Sequence, residues 1–186
     1  MSLARIHLRR IGRRKGWSNG NRNNCVSINA LINDNIATLR EADALLGFLS
    51  AHHYGAVGPH LRHIVDHYRC LLTGLTCGQV DYDARERCRE TELSVAKARR
   101  VISQLQDELR DIEADGDRPL PVRLATDAGG TSSVSQSSLA RELQFVQGHA
   151  VHHFALIRST LTALGSQLPD SFGKAPATLR HERASA

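Results

Sequence analysis

The sequence predicts an all-α fold: a four-helix bundle with a short strand or hairpin inserted between its third and fourth helices. Three observations indicate this class. Apolar residues recur at steps of three and four along most of the chain. Aromatic residues make up only 4% of the sequence, which is few for a sandwich or barrel of aromatic-rich strands. The helical period is broken mainly in one stretch, residues 116–137.

The first two helices are predicted on either side of a break. The first begins near Ser27 and follows one apolar stripe, made of Ile28, Leu31, Ile32, Ile36, Leu39, Ala42, Leu46 and Leu49. Residues 52–55 are predicted to interrupt the helical pattern. Pro59 then opens a second helix that extends to Leu75, because a proline in the first turn loses no hydrogen bond.

The third and fourth helices are predicted to flank the insertion. The third spans residues 84–113 and is half exposed, since charged residues surround its apolar stripe. Within the insertion, residues 119–124 alternate with a period of two, which is typical of a short strand. The fourth helix spans residues 138–164, and Gly165 follows it as a C-terminal cap.

The distribution of charge divides the chain into a tail and a domain. The net charge is +5, from 24 basic and 19 acidic residues. Residues 1–24 hold seven basic residues and no acidic one, which leaves 17 basic against 19 acidic residues elsewhere. We therefore predict a flexible basic tail at residues 1–24 and a bundle domain at residues 25–183. The domain lacks a basic stripe, so no specific nucleic-acid partner is expected.

The cysteines and the apolar runs predict a cytoplasmic protein. The four cysteines form no CxxC pair, and the N-terminal segment lacks the apolar stretch of a secretion signal, so a reducing compartment is expected. No apolar run approaches the ~18 residues that a membrane span requires. Cys70 shares a helical strip with histidines, but we interpret it as a small apolar core residue, the usual role of a free cysteine.

Histidines are the most informative residues of the sequence. Six of the ten lie in the second and fourth predicted helices: His60, His63, His67, His149, His152 and His153. The first three share an arc of about 60° on their helix, and His149 and His153 are spaced i, i+4. Imidazoles from facing helices can bind one ion and leave a position open. A single buried histidine is more often an ordinary core residue, but two clusters in one short chain favour a metal site.

Four segments resemble the DinB-like superfamily, and they occur in the order typical of that family. They are residues 58–67 (GPHLRHIVDH), 81–85 (DYDAR), 141–153 (RELQFVQGHAVHH) and 172–180 (FGKAPATLR). The resemblance covers roughly residues 28–183. It implies a four-helix bundle with a metal site of three histidines, one from the second helix and an HxxxH pair from the last. On this sequence the implied ligands are His63, His149 and His153, with His60 and His67 as alternatives to His63 on the same strip of the second helix.

The resemblance also implies a class of chemistry. Members of known activity include transferases and isomerases that depend on a low-molecular-weight thiol. We therefore expect a metal-dependent enzyme in which Zn, Ni or Fe activates a water or a small thiol, with hydrolase-like or thiol-transferase-like activity on a small-molecule substrate. His60 and His67 are the candidate catalytic residues, as general base or for substrate orientation. Asp66 or Glu142 is expected to accept the second N–H of a ligand.

Two other interpretations are weighed against this one. The chain is alternatively a non-catalytic metal-binding or stress-response bundle, since no substrate-recognition motif is evident. A di-iron carrier would need HxxxE pairs in the second and fourth helices, and these are missing. Bundles of this kind commonly pair through a helix face, so a homodimer is expected.

Overall fold

The computed structural model describes residues 27–185, and this part of the chain is mostly helical with one small sheet. The helices are α1 (Ile28–Leu46), α2 (Ala51–Cys77), α3 (Arg89–Leu93), α4 (Val95–Arg110), α5 (Leu139–Ala163) and α6 (Pro176–Ala184). The strands are β1 (Val80–Asp81), β2 (Val122–Ala125) and β3 (Ser132–Ser135). The prediction of a mostly helical chain is confirmed. The predicted basic tail at residues 1–24 lies outside the described residues.

The four longest helices enclose one hydrophobic core. α2 packs against α4 and α5, and α1 packs against the same two helices. Fully buried side chains come from each of the four, including Leu39, Leu71, Leu105, Leu143 and Phe154. Burying each such side chain contributes about 1.5–3 kcal/mol, so this core is the main source of stability.

α2 begins at Ala51 rather than at Pro59, so the prediction that residues 52–55 interrupt the helices is wrong. Ser50 caps the earlier start, because its side chain accepts a hydrogen bond from the backbone N–H three residues later. Tyr54 is 2% exposed and fixes the first turns to the core. Packing of these turns therefore outweighs the backbone hydrogen bond that the proline removes from the helix interior.

The predicted third helix, residues 84–113, is divided in the structure. Residues 84–88 are irregular, and Arg87 has φ 53°, which is uncommon for a residue other than glycine. Ser94 then separates α3 from α4 and caps α4 by accepting a hydrogen bond from the backbone N–H of Lys97 at 3.2 Å. No apolar stripe runs through the first part of this segment, so nothing holds it to the core as a continuous helix.

The predicted insertion contains an antiparallel hairpin of β2 and β3. β1, which follows α2 directly, pairs with β2 in parallel, so the sheet has the order β1-β2-β3. The bounds of α5 agree closely with those of the predicted fourth helix. α6 was not expected, because none of its residues is buried and it therefore has no apolar stripe to detect.

Two glycines of α2 allow neighbouring backbone to approach closely. A Cβ atom at Gly74 would lie 2.6 Å from Cγ2 of Val80, and one at Gly58 would overlap the carbonyl oxygen of Glu92. The segment between Val80 and Glu92 is therefore held against α2 at both ends. This segment carries Tyr82 and residues 84–88 toward the histidines of α2. No helix among residues 27–185 offers the length of apolar sequence that a bilayer crossing needs.

Candidate metal centre

Imidazoles from α2 and α5 meet where the two helices pack together. His63 and His67 of α2 and His149 of α5 each offer one ring nitrogen, and these three atoms lie within 4.8 Å of one another. The ring of His149 is 4.1 Å from that of His67 and 5.0 Å from that of His63, measured between centroids. Ligand nitrogens around a tetrahedral zinc ion lie about 3.3 Å apart, so the three atoms are near the spacing of a metal site but would have to move closer to hold one ion.

His153 lies one turn further along α5 and extends the cluster. Its ring centroid is 4.6 Å from that of His63 and 4.8 Å from that of His149. The three ligands implied by the resemblance thus lie side by side, but the tightest group of nitrogen atoms contains His67 in place of His153. The identity of the third ligand therefore stays a prediction.

The two candidate catalytic residues differ in position. His67 is buried inside the cluster, whereas His60 lies at its edge, with its Nδ1 atom 3.0 Å from Nδ1 of His153. One of these two nitrogen atoms must carry a proton for them to hydrogen-bond, since each neutral imidazole has one donor and one acceptor. His152 is exposed and contributes no ring nitrogen to the group.

The hydrogen bonds of the cluster leave ring nitrogens for a ligand. The Nδ1 atom of His67 lies 2.9 Å from the carbonyl oxygen of His63, so Nδ1 carries the proton and Nε2 keeps its lone pair. The Nε2 atom of His149 is buried without a hydrogen-bond partner in the described part of the chain. Leaving such an atom unpaired costs about 1–3 kcal/mol, and a bound ion would remove this cost. The donor set therefore fits a divalent metal that binds imidazole.

Burial keeps the imidazoles neutral. It lowers the pKa of His63 to about 3 and that of His149 to about 4, with neighbouring imidazoles contributing next. The pKa of His153 falls to about 4 for the same reasons, and burial also lowers the pKa of His67. Neutral imidazole is the form that binds metal, so at pH 7 no proton must leave before an ion binds.

Arg85 contacts the cluster from the irregular segment. Its Nη1 atom lies 3.0 Å from Nδ1 of His63, and because a guanidinium has only donors, Arg85 donates this hydrogen bond. No atom of residues 27–185 hydrogen-bonds the buried Nε atom of Arg85. The sequence places Arg85 in a family-like segment but predicts no role for it, since its position depends on the path of residues 84–88.

Tyr82 contacts the cluster at His67. Its ring stacks on His67 with 5.4 Å between centroids, and its hydroxyl donates to Oε2 of Glu142 at 2.7 Å. Ser137 donates to the other oxygen of Glu142 at 2.5 Å. Within residues 27–185, the expected hydrogen bond from a cluster imidazole to Asp66 or Glu142 is therefore absent, and Glu142 acts on His67 through Tyr82.

A groove leads from His149 to the hairpin. A pocket of about 320 Å³ is lined by Arg141, Gln144, Phe145, Gly148 and His149. A second pocket of about 250 Å³ is bounded by β2, Tyr82 and Glu142, and the two share Arg141 and Phe145. A Cβ atom at Gly148 would meet nothing within 4 Å, so this glycine leaves the groove open beside His149. The groove has room for a small molecule next to the imidazoles.

Cys70 lies further along α2 and takes no part in the cluster. It is 7% exposed, and burial raises the pKa of its thiol to about 11. The thiol is therefore neutral at pH 7, in agreement with its interpretation as an apolar core residue.

Comparisons with known proteins leave the family of the chain open. No family model matches the sequence, and no solved structure matches it. A curated protein of Rhizopus delemar named FK506-binding protein 5 is 34% identical over 104 residues, which are 55% of this chain and 27% of that protein. The chain thus spans only about a quarter of that relative, and the relative's name does not bear on the histidine cluster.

Proposed function

We propose that this protein is a divalent-metal-dependent enzyme of the DinB-like superfamily, built as a four-helix bundle, with hydrolase-like or thiol-transferase-like activity on a small molecule. The observation that carries the proposal is the group of three imidazole nitrogens from α2 and α5 within 4.8 Å. Packing of α1 and α2 each against both α4 and α5 supports the bundle.

His63 and His149 belong to both possible ligand sets. The geometry favours His67 as the third ligand, because its Nδ1 proton is already fixed by the carbonyl of His63 and its Nε2 is free. The resemblance implies His153, whose ring lies beside both His63 and His149. Zn, Ni and Fe all bind imidazole, so each of these three ions is a candidate for the site.

The residues around the ligands perform separate tasks. A divalent ion held by neutral imidazoles would acidify a bound water toward a pKa of ~7 or deprotonate a bound thiol. Tyr82 fixes the ring plane of His67, and Glu142 fixes Tyr82. The groove along Phe145 and Gly148 holds the organic part of the substrate beside the reactive position.

Metal content tests the proposal directly. Untagged protein is measured by inductively coupled plasma mass spectrometry, with His63→Ala and His149→Ala beside it. The matched control is His181→Ala, which removes an exposed histidine of α6. We expect about one ion per chain in the wild type and the control, and a loss in both cluster variants. His67→Ala and His153→Ala then identify the third ligand as the variant that loses more metal.

Activity is tested by incubating metal-loaded protein with small thiols and electrophilic acceptors. The loss of free thiol is measured over time. Turnover that disappears with His149→Ala supports the enzyme. Stoichiometric metal without turnover in thiol-transfer and hydrolysis assays would contradict it and favour the non-catalytic metal-binding bundle. Protein that takes up none of Zn, Ni or Fe would contradict the metal site itself.

A further inference from the structure

We propose that Arg85 forms an anion subsite beside the metal centre, and that the natural ligand carries a carboxylate that joins the bound ion to the Arg85 guanidinium. This inference rests on the proposed function, because it requires an ion at His63. It adds a recognition element and a substrate class to the site.

Arg85 is the half-buried arginine that forms no ion pair with a carboxylate of residues 27–185. Within residues 27–185, the other arginines of intermediate exposure all contact an Asp or Glu. They are Arg62 with Glu92, Arg69 with Glu86, Arg118 with Asp115 and Arg158 with Asp170. Arg85 instead donates to the neutral imidazole of His63, and its Nε is buried without a partner. A half-buried cation normally has a paired anion, so an acceptor is missing at this place.

Metal binding would leave Arg85 with still fewer hydrogen-bond acceptors. A neutral imidazole has one nitrogen lone pair, and in the structure the lone pair of His63 accepts the hydrogen bond from Arg85. An ion bound to His63 takes that lone pair, so Arg85 must give up its one side-chain hydrogen bond to residues 27–185. The guanidinium then retains several free donors next to the ion.

Charge makes the missing acceptor an anion. A divalent ion and a guanidinium so close together repel each other, and water screens them poorly in a half-buried place. An anion between them converts this repulsion into two attractions. A carboxylate suits the arrangement because one oxygen can bind the ion while the other accepts from the planar guanidinium.

Residues of the chain itself are the competing source of a carboxylate. Asp66 is the strongest of these, since its Oδ1 is buried without a partner among residues 27–185. Burial raises the pKa of Asp66 and the nearby charges of Arg62 and Arg85 act in the opposite direction, although Arg85 forms no ion pair with it within 4.0 Å. If Arg85 turned to Asp66 when the ion bound, an external carboxylate would gain nothing from Arg85. The test below separates these two possibilities.

The experiment uses the full chain loaded with Co²⁺ and titrated with propionate, with binding followed by the visible spectrum of the ion. Arg85→Gln removes the charge, Arg85→Lys keeps the charge but loses the planar fork, and Arg118→Gln is the matched control. We expect Arg85→Gln to weaken propionate binding about tenfold or more, the effect of one charge-assisted hydrogen bond. The propionate affinity of Arg85→Lys should lie between those of Arg85→Gln and the wild type. The Arg118→Gln control should bind propionate as the wild type does.

Metal affinity without propionate provides a second measurement. Arg85→Gln should bind Co²⁺ as tightly as the wild type or more tightly, because it removes a positive charge beside the ion. A merely structural role of Arg85 would instead weaken both metal and propionate binding. Weaker propionate binding together with an undiminished Co²⁺ affinity therefore identifies the subsite.

Three results would overturn the inference. Equal propionate affinity in Arg85→Gln and the wild type would contradict the anion subsite but would leave the proposed metal centre unaffected. Tighter binding of inorganic phosphate than of propionate, with the same dependence on Arg85, would overturn the carboxylate class. Wild-type protein that binds neither Co²⁺ nor any of Zn, Ni and Fe would overturn both the subsite and the proposed function, so the two failures are distinguishable.

Discussion

The chain pairs one set of buried polar groups around α2 completely and another only in part. In the first set, Asn35 of α1 donates to the carbonyls of Leu31 at 2.8 Å and Leu143 at 3.1 Å, and accepts from the Tyr68 hydroxyl at 2.8 Å. In the second set, around the histidine cluster, Nε2 of His149 and Nε of Arg85 have no hydrogen-bond partner within residues 27–185.

The difference distinguishes a structural network from a binding site. Asn35 and Tyr68 are both 0% exposed, and their hydrogen bonds tie α1, α2 and α5 together. Fully paired buried groups stabilise and specify a fold, whereas unpaired groups cost stability. Nε of Arg62 and Oγ1 of Thr91 are also unpaired among residues 27–185, so it is the joint position of His149 and Arg85 beside the other imidazoles that favours a bound ligand there.

The largest expected effect is on metal binding. His149→Ala should lower metal affinity by more than about 100-fold, since loss of a ligand exceeds the 10–100-fold cost of losing an outer-shell partner. The metal-free variant should unfold within about 1 kcal/mol of the wild type, because the nitrogen it removes has no partner. Competition with a chromophoric chelator and denaturant unfolding measure the two quantities. A metal-free variant destabilised far more than this would place His149 in the structural set.

The opposite pattern is expected for the paired network. Asn35→Ala should lower the free energy of unfolding by about 3 kcal/mol, because it leaves the Leu143 carbonyl and the Tyr68 hydroxyl unpaired. Tyr68→Phe, which removes one hydrogen bond, should cost about 1–2 kcal/mol. The folded fraction of either variant should bind metal as the wild type does. Weaker metal binding by folded Asn35→Ala would show that the two sets are coupled.

Acid should destabilise the metal-free protein. Unfolded histidines titrate near pH 6.5, whereas His63, His149 and His153 in the folded chain have pKa values of about 3 to 4. The unfolded state therefore binds more protons below pH 6.5, and stability is fully present above that pH and declines as the pH falls toward 4. We expect a loss of at least about 2 kcal/mol between pH 7 and 4.5, allowing for partial exposure of the rings.

Denaturant unfolding across this pH range measures the loss. The His149→Ala, His153→Ala double variant should show a shallower decline, since two of the titrating groups are gone. A wild-type profile that stays flat, or rises on acidification, would mean that the imidazoles are not held neutral in the folded chain.

The smallest expected effect concerns the groove. Gly148→Leu should raise stability by about 0.5–1 kcal/mol, because a glycine inside a helix is unfavourable and an added Cβ atom here meets nothing within 4 Å. The leucine should fill the groove beside His149, weakening propionate binding while leaving metal affinity unchanged. Gly148→Ala is the control, which gains helix propensity without filling the groove. Equal propionate affinity in both variants would place the ligand elsewhere.

The helical class and the histidine cluster could be predicted because both depend on a period of 3.6 residues. That period places His63 and His67 on one face of α2, whatever the exact ends of the helix. The ends themselves were harder to predict: residues 52–55 carry few apolar residues, and packing of Tyr54 with the Ser50 cap made them helical.

The residues that complete the site could not be predicted in the same way. Arg85 and Tyr82 lie on a segment without periodicity, and close approach of backbone at Gly58 and Gly74 determines where that segment runs. These contacts join residues far apart in the sequence. Only the folded chain brings Arg85 to His63.

X-ray absorption of the zinc-loaded protein tests the central claim most directly. A centre held by three histidines predicts nitrogen or oxygen neighbours at ~2.0–2.1 Å, with outer-shell scattering from three imidazole rings. His149→Ala should lose one imidazole contribution, while His181→Ala should match the wild type. A spectrum fitted by water oxygens with one imidazole or none, or by sulfur at ~2.3 Å, would contradict a three-imidazole centre between α2 and α5.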